Sequence, residues 1–433
     1  MTTDNYKPRI ADKLLADLLD ACGCVLIEGS KWCGKTTTAE QQAKSVVYMA
    51  DPEDNTRNIQ LAKTTPRFIL KGDTPRLIDE WQVVPTLWDA IRGEVDHRHA
   101  LGQFIITGSA VPVDRKDIIH TGTGRIAPLL MRPMSLWESG NSSGEVSLES
   151  LFNKPEQLMG ESKIDIDELA YLVCRGGWPM AMQTSTRKAA LKQATIYYNG
   201  LVGSGDGSDS DISRADGVRR SPERVKLLMR SLSRHQGTQA SLDTIYDDMK
   251  ANDDSSLNTD TISSYISALK KIFTVENMSA WNPALRSKTA IRTSDTHYFV
   301  DPSIAVAAMR IGPNDLLNDL ETFGLLFETL AIRDLRIYTD ALDGNVYHYR
   351  DKNNLECDAV IHLENGEYGL VEIKLGGDNL IDSGANSLNK LADKIDTTKM
   401  TTPSFLMVLT GVGRYAYRRD DGVYVVPIGS LKN

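Results

Sequence analysis

Cys24-Val25-Leu26-Ile27-Glu28 runs directly into Gly29-Ser30-Lys31-Trp32-Cys33-Gly34-Lys35-Thr36, and a polar helical stretch follows to Lys44. The apolar run reads as a buried strand. The eight residues after it match G-x-x-x-x-G-K-[ST] without substitution, in the strand-then-helix context the motif requires. Glycines let the backbone wrap closely around phosphates. Successive N–H groups and a helix N-terminus then present the positive ends of their dipoles. Gly29, Ser30, Lys31, Trp32, Cys33, Gly34, Lys35, Thr36 and Thr37 are therefore expected to cradle the phosphates of ATP. Lys35 is expected to reach the β- and γ-phosphates, and Thr36 to offer its hydroxyl to Mg²⁺.

Some forty residues on, Arg76-Leu77-Ile78-Asp79-Glu80-Trp81 is an apolar strand ending in two acids. Asp79 at the strand tip is expected to hold Mg²⁺. Glu80 is placed to polarise the attacking water, a general-base task. An Asp-Glu tip favours hydrolysis over kinase chemistry. A third strand, Phe104-Ile105-Ile106-Thr107-Gly108-Ser109, ends in small polar residues, and Thr107 or Ser109 is a candidate to orient the water. Arg125, flanked by Gly124, is the first candidate to neutralise charge on the transferring phosphoryl group, with Arg132 second. Arginines in that role contribute about 10³–10⁵ in rate.

Short apolar runs at Cys24–Glu28, Val46–Met49, Leu77–Ile78 and Phe104–Thr107 alternate with helical patterns. That alternation predicts a parallel sheet with crossover helices, so the fold class is multidomain α/β. The segments Leu26–Thr36, Leu77–Trp81, Phe104–Ala110 and Gly124–Trp137 resemble the prokaryotic AAA-type ATPases that carry a C-terminal domain of unknown function. The stretch Arg132-Pro133-Met134-Ser135-Leu136-Trp137-Glu138 and the element Arg175-Gly176-Gly177-Trp178-Pro179 are similar to two further signatures of that family. The resemblance spans nearly the whole chain and also implies a winged helix in its middle.

Four regions are expected: a P-loop ATPase domain at 1–140, a helical region with linker at 141–220, a winged-helix domain at 221–312, and a restriction-endonuclease-like domain at 313–433. The run Gly203-Ser204-Gly205-Asp206-Gly207-Ser208-Asp209-Ser210-Asp211 reads as solvated linker. Ser241–Asn252 and Asn258–Phe273 have helix-turn-helix spacing around Asp253–Ser256. Thr259 is the expected cap of the second helix, whose apolar face is Ile262, Tyr265, Ile266 and Leu269. Strands Thr274–Met278 and Thr296–Val300 would form a wing with Arg286, Lys288 and Arg292 at its tip, a placement suited to DNA phosphates.

Downstream, a helix Leu316–Arg333 carries Glu328. Strands are expected at Arg336–Tyr338, Val346–Arg350, Cys357–His362, Gly369–Lys374, Ser404–Leu409 and Val423–Pro427. Asp358 followed by Glu372-x-Lys374 on the next strand is the pattern of a restriction-endonuclease core. Asp358, Glu372 and Glu328 would hold Mg²⁺, which activates water. Glu372 and Lys374, two apart on a strand, project to one face, where Lys374 would orient the nucleophile.

A chain of 433 residues is long enough for two to four domains. Its 41% hydrophobic and 25% charged residues suit a water-soluble globular protein. Five scattered cysteines suggest reduced thiols, and no apolar run approaches the roughly 20 residues of a membrane span. The polar N-terminus lacks a signal core, so a cytoplasmic location is expected. The net charge of −9 excludes a wholly basic nucleic-acid coat but not a local basic face. Two readings follow. In one, ATP hydrolysis drives or gates a DNA-directed C-terminal module with Mg²⁺-dependent nuclease chemistry. In the other, the chain is an ATP-dependent switch for a protein partner, and the nuclease-like domain is non-catalytic. If Arg125 acts on a neighbour's nucleotide, the chain is a homo-oligomer.

Overall fold

A computed structural model describes residues 6–109, 121–153, 158–205, 207, 209–251, 257–285 and 291–433. The chain divides into two compact units. The first comprises 1–133, 199–222 and 263–274, and the second 134–198, 223–262 and 275–433.

The first unit is built on α1 (Ile10–Ala21), β1 (Cys24–Glu28), α2 (Lys35–Gln42), β2 (Ser45–Tyr48), α3 (Asn55–Thr64), α4 (Pro66–Ile69), β3 (Arg76–Asp79), α5 (Leu87–Arg98), β4 (Phe104–Gly108) and β5 (Ile126–Leu130). The strands form one sheet in the order β2-β3-β4-β1-β5, parallel throughout. β1, β3 and β4 are central and almost wholly buried, which is why they read as continuous apolar runs rather than alternating ones. Side chains of β1, β3 and β4 feed two cores, one with Leu87, Ile91 and Val95 of α5, the other with Leu15 and Leu19 of α1. β5 is a fifth strand beyond the four expected from the sequence, and it carries Pro128, which lacks a ladder donor. It lies at the sheet edge, where a proline is tolerated.

In the Gly/Ser/Asp run Ser204, Gly205 and Asp209 are exposed, whereas Gly207 and Ser210 are buried. Asp206 and Ser208 lie outside the described residues, but its end starts a short helix, Asp211–Arg214, capped by Ser210. Ile212 and Ser210 are fully buried. Arg220, itself buried, donates to both carboxylate oxygens of Asp216 and to the carbonyls of Ile212 and Val218. The glycines supply left-handed turns at Gly203 and Gly207. A Cβ at Gly207 would lie 2.2 Å from the Arg220 carbonyl oxygen.

The second unit centres on a six-stranded mixed sheet. Its order is Tyr417–Arg418, Tyr424–Pro427, Phe405–Thr410, Tyr368–Lys374, Glu356–Leu363, Gly344–Arg350. The second, third and fourth are mutually parallel, and the other three pairings are antiparallel. The helix Asp378–Lys394 covers the face bearing Tyr368, Leu370 and Val408 through Ile381, Ala385 and Leu388. The expected strand Arg336–Tyr338 is instead the last part of a 21-residue helix, Leu320–Asp340. From Thr329 to Thr339 this helix is buried on every side, so it shows no solvated polar stripe.

The two motif stretches that follow the first unit in sequence meet around this helix. Buried Arg333 pairs with Asp301 at 2.7 Å and Asp334 at 2.7 Å. Asp301 also accepts the Gly177 amide at 2.8 Å, and Asp334 the Leu136 amide at 2.9 Å. The Trp178 indole donates to Ser303 at 2.9 Å and its ring lies on Tyr197. Gly177 must be glycine, since a Cβ there would come within 2.1 Å of the Met134 carbonyl oxygen. The Gly-Gly-Trp-Pro element is thus explained by packing.

In the helix-turn-helix stretch, helices run Leu242–Lys250 and Thr259–Lys271. The second is capped by Asn258, which accepts the Thr261 amide at 2.7 Å, and not by Thr259. Ile262, Tyr265, Ile266 and Leu269 are buried as the periodicity requires. Val275–Met278 and Thr296–Phe299 pair antiparallel. Asp253–Ser256, Arg286 and Lys288 lie outside the described residues. Arg292 is bound to Asn354 at 3.0 Å.

Candidate functional site

The phosphate loop leaves β1 at Glu28 and enters α2 at Lys35. Gly29 turns with φ 150°, and a Cβ there would strike the Met131 carbonyl oxygen at 2.1 Å. Gly34 takes φ 106° and leaves the α2 N-terminus without a side-chain cap. Trp32 is left-handed and half-exposed, whereas Cys33 is buried. The Lys35 ammonium donates to the loop's own carbonyls, Gly29 at 3.0 Å and Ser30 at 2.9 Å. The Ser30 hydroxyl is buried inside the loop with no hydrogen-bond partner. An uncapped helix start, a curled-in lysine and an orphaned hydroxyl fit a phosphate group, so the residues present suit ATP.

The Mg²⁺ candidates also come together. Thr36 Oγ1 donates to Asp79 Oδ1 at 2.6 Å, and Thr107 Oγ1 donates to the same oxygen at 2.7 Å. This chain of hydroxyl, carboxylate and hydroxyl joins α2, β3 and β4 at the C-terminal edge of the sheet. Thr107 also accepts the Glu80 amide at 3.1 Å, so its hydroxyl positions both acids. Glu80 stands just past the β3 tip at φ 58°, a left-handed conformation that costs an ordinary residue on the order of 1–3 kcal/mol. Its Oε2 accepts Ser109 Oγ at 3.2 Å and the Gln82 side-chain amide.

Sequence reasoning missed three residues here. Arg9, buried, donates to the carbonyls of Cys33 at 2.9 Å and Arg132 at 2.8 Å, and so braces the loop against the end of β5. Gln82 restrains Glu80. Asp211 pairs with Lys31 at 2.5 Å. Each is a single polar residue outside any motif, and only the fold brings it to the site.

Arg125 is not brought to the site. Its carbonyl accepts the Cys24 amide at the start of β1, the far end of the strand from the loop. The five residues of β1 put it about 16 Å away. Its guanidinium pairs with Asp96 at 2.8 Å, and the hydrogen bond holds that carboxyl below its ordinary range. Arg132, the second candidate, follows β5 on the same edge as the loop, where Met131 donates to the Glu28 carbonyl at 2.7 Å. Within one chain Arg132, and not Arg125, lies at the loop's edge of the sheet.

In the second unit, Asp358, Glu372 and Lys374 meet at the ends of their strands. The Lys374 ammonium lies 2.6 Å from Glu372 and 3.1 Å from Asp358. Burial works against its charge, but the two carboxylates more than offset this and hold it firmly protonated. Asp358 also accepts the Ile373 amide at 2.7 Å. Glu328 accepts the Tyr298 hydroxyl at 2.6 Å. Burial, then the Asp358 charge, raises the pKa of both Glu328 and Glu372. Among the described residues no three His, Cys, Asp or Glu side chains are placed to hold one metal ion. In this structure the Lys374 ammonium neutralises the Asp358 and Glu372 carboxylates.

The parallel sheet and its phosphate loop define a P-loop nucleotide-binding domain. Residues 23–139 match the AAA domain family, and 323–431 match a domain of unknown function, DUF4143. The chain therefore joins an AAA-type P-loop domain to that C-terminal domain, and residues 166–315 match a further domain of unknown function, DUF8612. No curated protein matches the chain significantly. Among solved structures it is similar to the Aeropyrum pernix Orc1 protein in complex with DNA, at 13% identity over 73% of this chain and 97% of that one, with a TM-score of 0.28. It is also similar to the Pyrococcus furiosus Hef helicase domain, at 12% identity over 94% and 86%, with a TM-score of 0.21. At these scores neither likeness bears on function. No helix among the described residues is long and apolar enough to cross a membrane.

Proposed function

We propose that the chain hydrolyses ATP at the P-loop and that hydrolysis drives or gates a DNA-directed C-terminal module. The observation that carries the first half is the hydrogen-bonded chain from Thr36 through Asp79 to Thr107. It draws the loop and the two strand tips into one site. Thr36 and Asp79 would hold Mg²⁺, which supplies charge neutralisation on the phosphates. Lys35 binds the phosphates once it leaves the loop carbonyls. Glu80 takes the proton from the attacking water, held in place by Gln82 and Ser109. The DNA-directed half rests on the winged-helix spacing of 221–312 and the restriction-endonuclease-like pattern of 313–433.

The second reading, a nucleotide-controlled switch for a protein partner with a non-catalytic C-terminal domain, is favoured by one observation. Lys374 neutralises the carboxylates that a nuclease would commit to a metal. One experiment separates the two. Phosphate release from ATP is measured with Mg²⁺, with and without supercoiled plasmid, and the plasmid is run on a gel. Release stimulated by DNA supports the first reading. Release indifferent to DNA, with the plasmid intact, supports the second. No release under any condition sinks both.

A further inference from the structure

The carboxylates of the second unit already hold a cation. Glu372 and Lys374 sit two apart on the strand Tyr368–Lys374, on the face covered by the helix Asp378–Lys394. Gly384 of that helix lies over Glu372, and a Cβ on it would be 3.3 Å from the Glu372 Cβ. The Glu372 side chain is only 6% exposed. Asp358, 18% exposed, is fixed by the Ile373 amide. Between them stands the Lys374 ammonium. A Mg²⁺ ion bound to the same oxygens would approach them to about 2.0–2.1 Å. Such an ion and the ammonium cannot share that space, and their like charges repel in a poorly solvated setting.

We propose that the Lys374 ammonium is the resident cation of the Asp358–Glu372 pair, and that the pair accepts a divalent ion only when this ammonium is absent. The C-terminal domain of the native chain is then a metal-free module. Lys374 serves it as an internal counter-ion rather than as a residue that orients a nucleophile. This goes beyond the ATPase reading and does not depend on it.

Mn²⁺ binding to the full chain tests it, by calorimetry and by the loss of the free-ion EPR signal, without nucleotide. An Asp79→Asn background removes the P-loop carboxylate from the count. The background chain is expected to bind no Mn²⁺ at millimolar concentration. Adding Lys374→Met is expected to create one site per chain, at least tenfold tighter than any in the background. Glu372→Gln on top of it is expected to abolish that site, and Lys374→Arg, which keeps the charge, to create none. Circular dichroism and thermal melting verify that each variant is folded. The proposal is overturned if the background chain binds one Mn²⁺ as tightly as the Lys374→Met chain. It also fails if folded Lys374→Met binds none, or if its ion persists after Glu372→Gln.

Discussion

A Glu80→Gln chain is expected to bind ATP as the parent does and to release phosphate about 10²–10⁴-fold more slowly, the usual contribution of a positioned general base. The geometry predicts the separation of the two effects. Both hydrogen bonds to the Glu80 side chain, from Ser109 Oγ and from the Gln82 amide, fall on Oε2. A glutamine can present its oxygen to the same donors and keep the side chain in place, but it cannot take a proton. Lys35→Ala is expected to behave differently and lose nucleotide affinity itself, because Lys35 is the loop's own cation. Filter binding of ATP alongside phosphate release distinguishes the pair. A Glu80→Gln chain that keeps more than a tenth of the parent rate would remove Glu80 from the chemistry.

Arg333→Ala is expected to destabilise the second unit by about 3–5 kcal/mol, the cost of breaking a buried ion pair by removing one partner. Asp301 and Asp334 are fully buried and both face this guanidinium. Left without it, two carboxylates stay in a dry interior while tethered to the amides of Gly177 and Leu136. Arg333→Lys is expected to recover only part of the loss, because an ammonium cannot fork across both acids. Urea unfolding followed by tryptophan fluorescence reads the effect, since Trp178 reports on the same cluster through Ser303. A shift worth under 1 kcal/mol would mean that water reaches these acids.

The legible parts of the molecule were those where one residue type does one local job. The loop from Gly29 to Thr36, the acids at the tip of β3 and the short apolar strands of both sheets can be read directly, because backbone geometry and burial demand those residues there. The rest failed for physical reasons. The end of the helix Leu320–Asp340 was read as a strand, since a helix buried all round loses the stripe that betrays it. β5 is not among the expected strands, and its Pro128 is tolerated because the strand lies at the sheet edge. Arg125 and Arg132 look alike in sequence, and only the strand register shows which end of the sheet each occupies. The triplet Asp358, Glu372 and Lys374 suggested metal chemistry by residue type. In the structure Lys374 is ion-paired to both acids, a pairing that residue type alone does not reveal.

The first unit takes chain from 1–133, 199–222 and 263–274. Ribosomes extend a chain at about 5–20 residues per second, and domains usually fold as they emerge. This nucleotide-binding unit cannot close until residue 274 has been made, well after its phosphate loop has left the tunnel. Until then Lys31 of the phosphate loop lacks its partner Asp211. A fragment ending soon after β5 would lack that partner permanently. Such a fragment would be an incomplete unit, even though it contains every residue of the ATP motif.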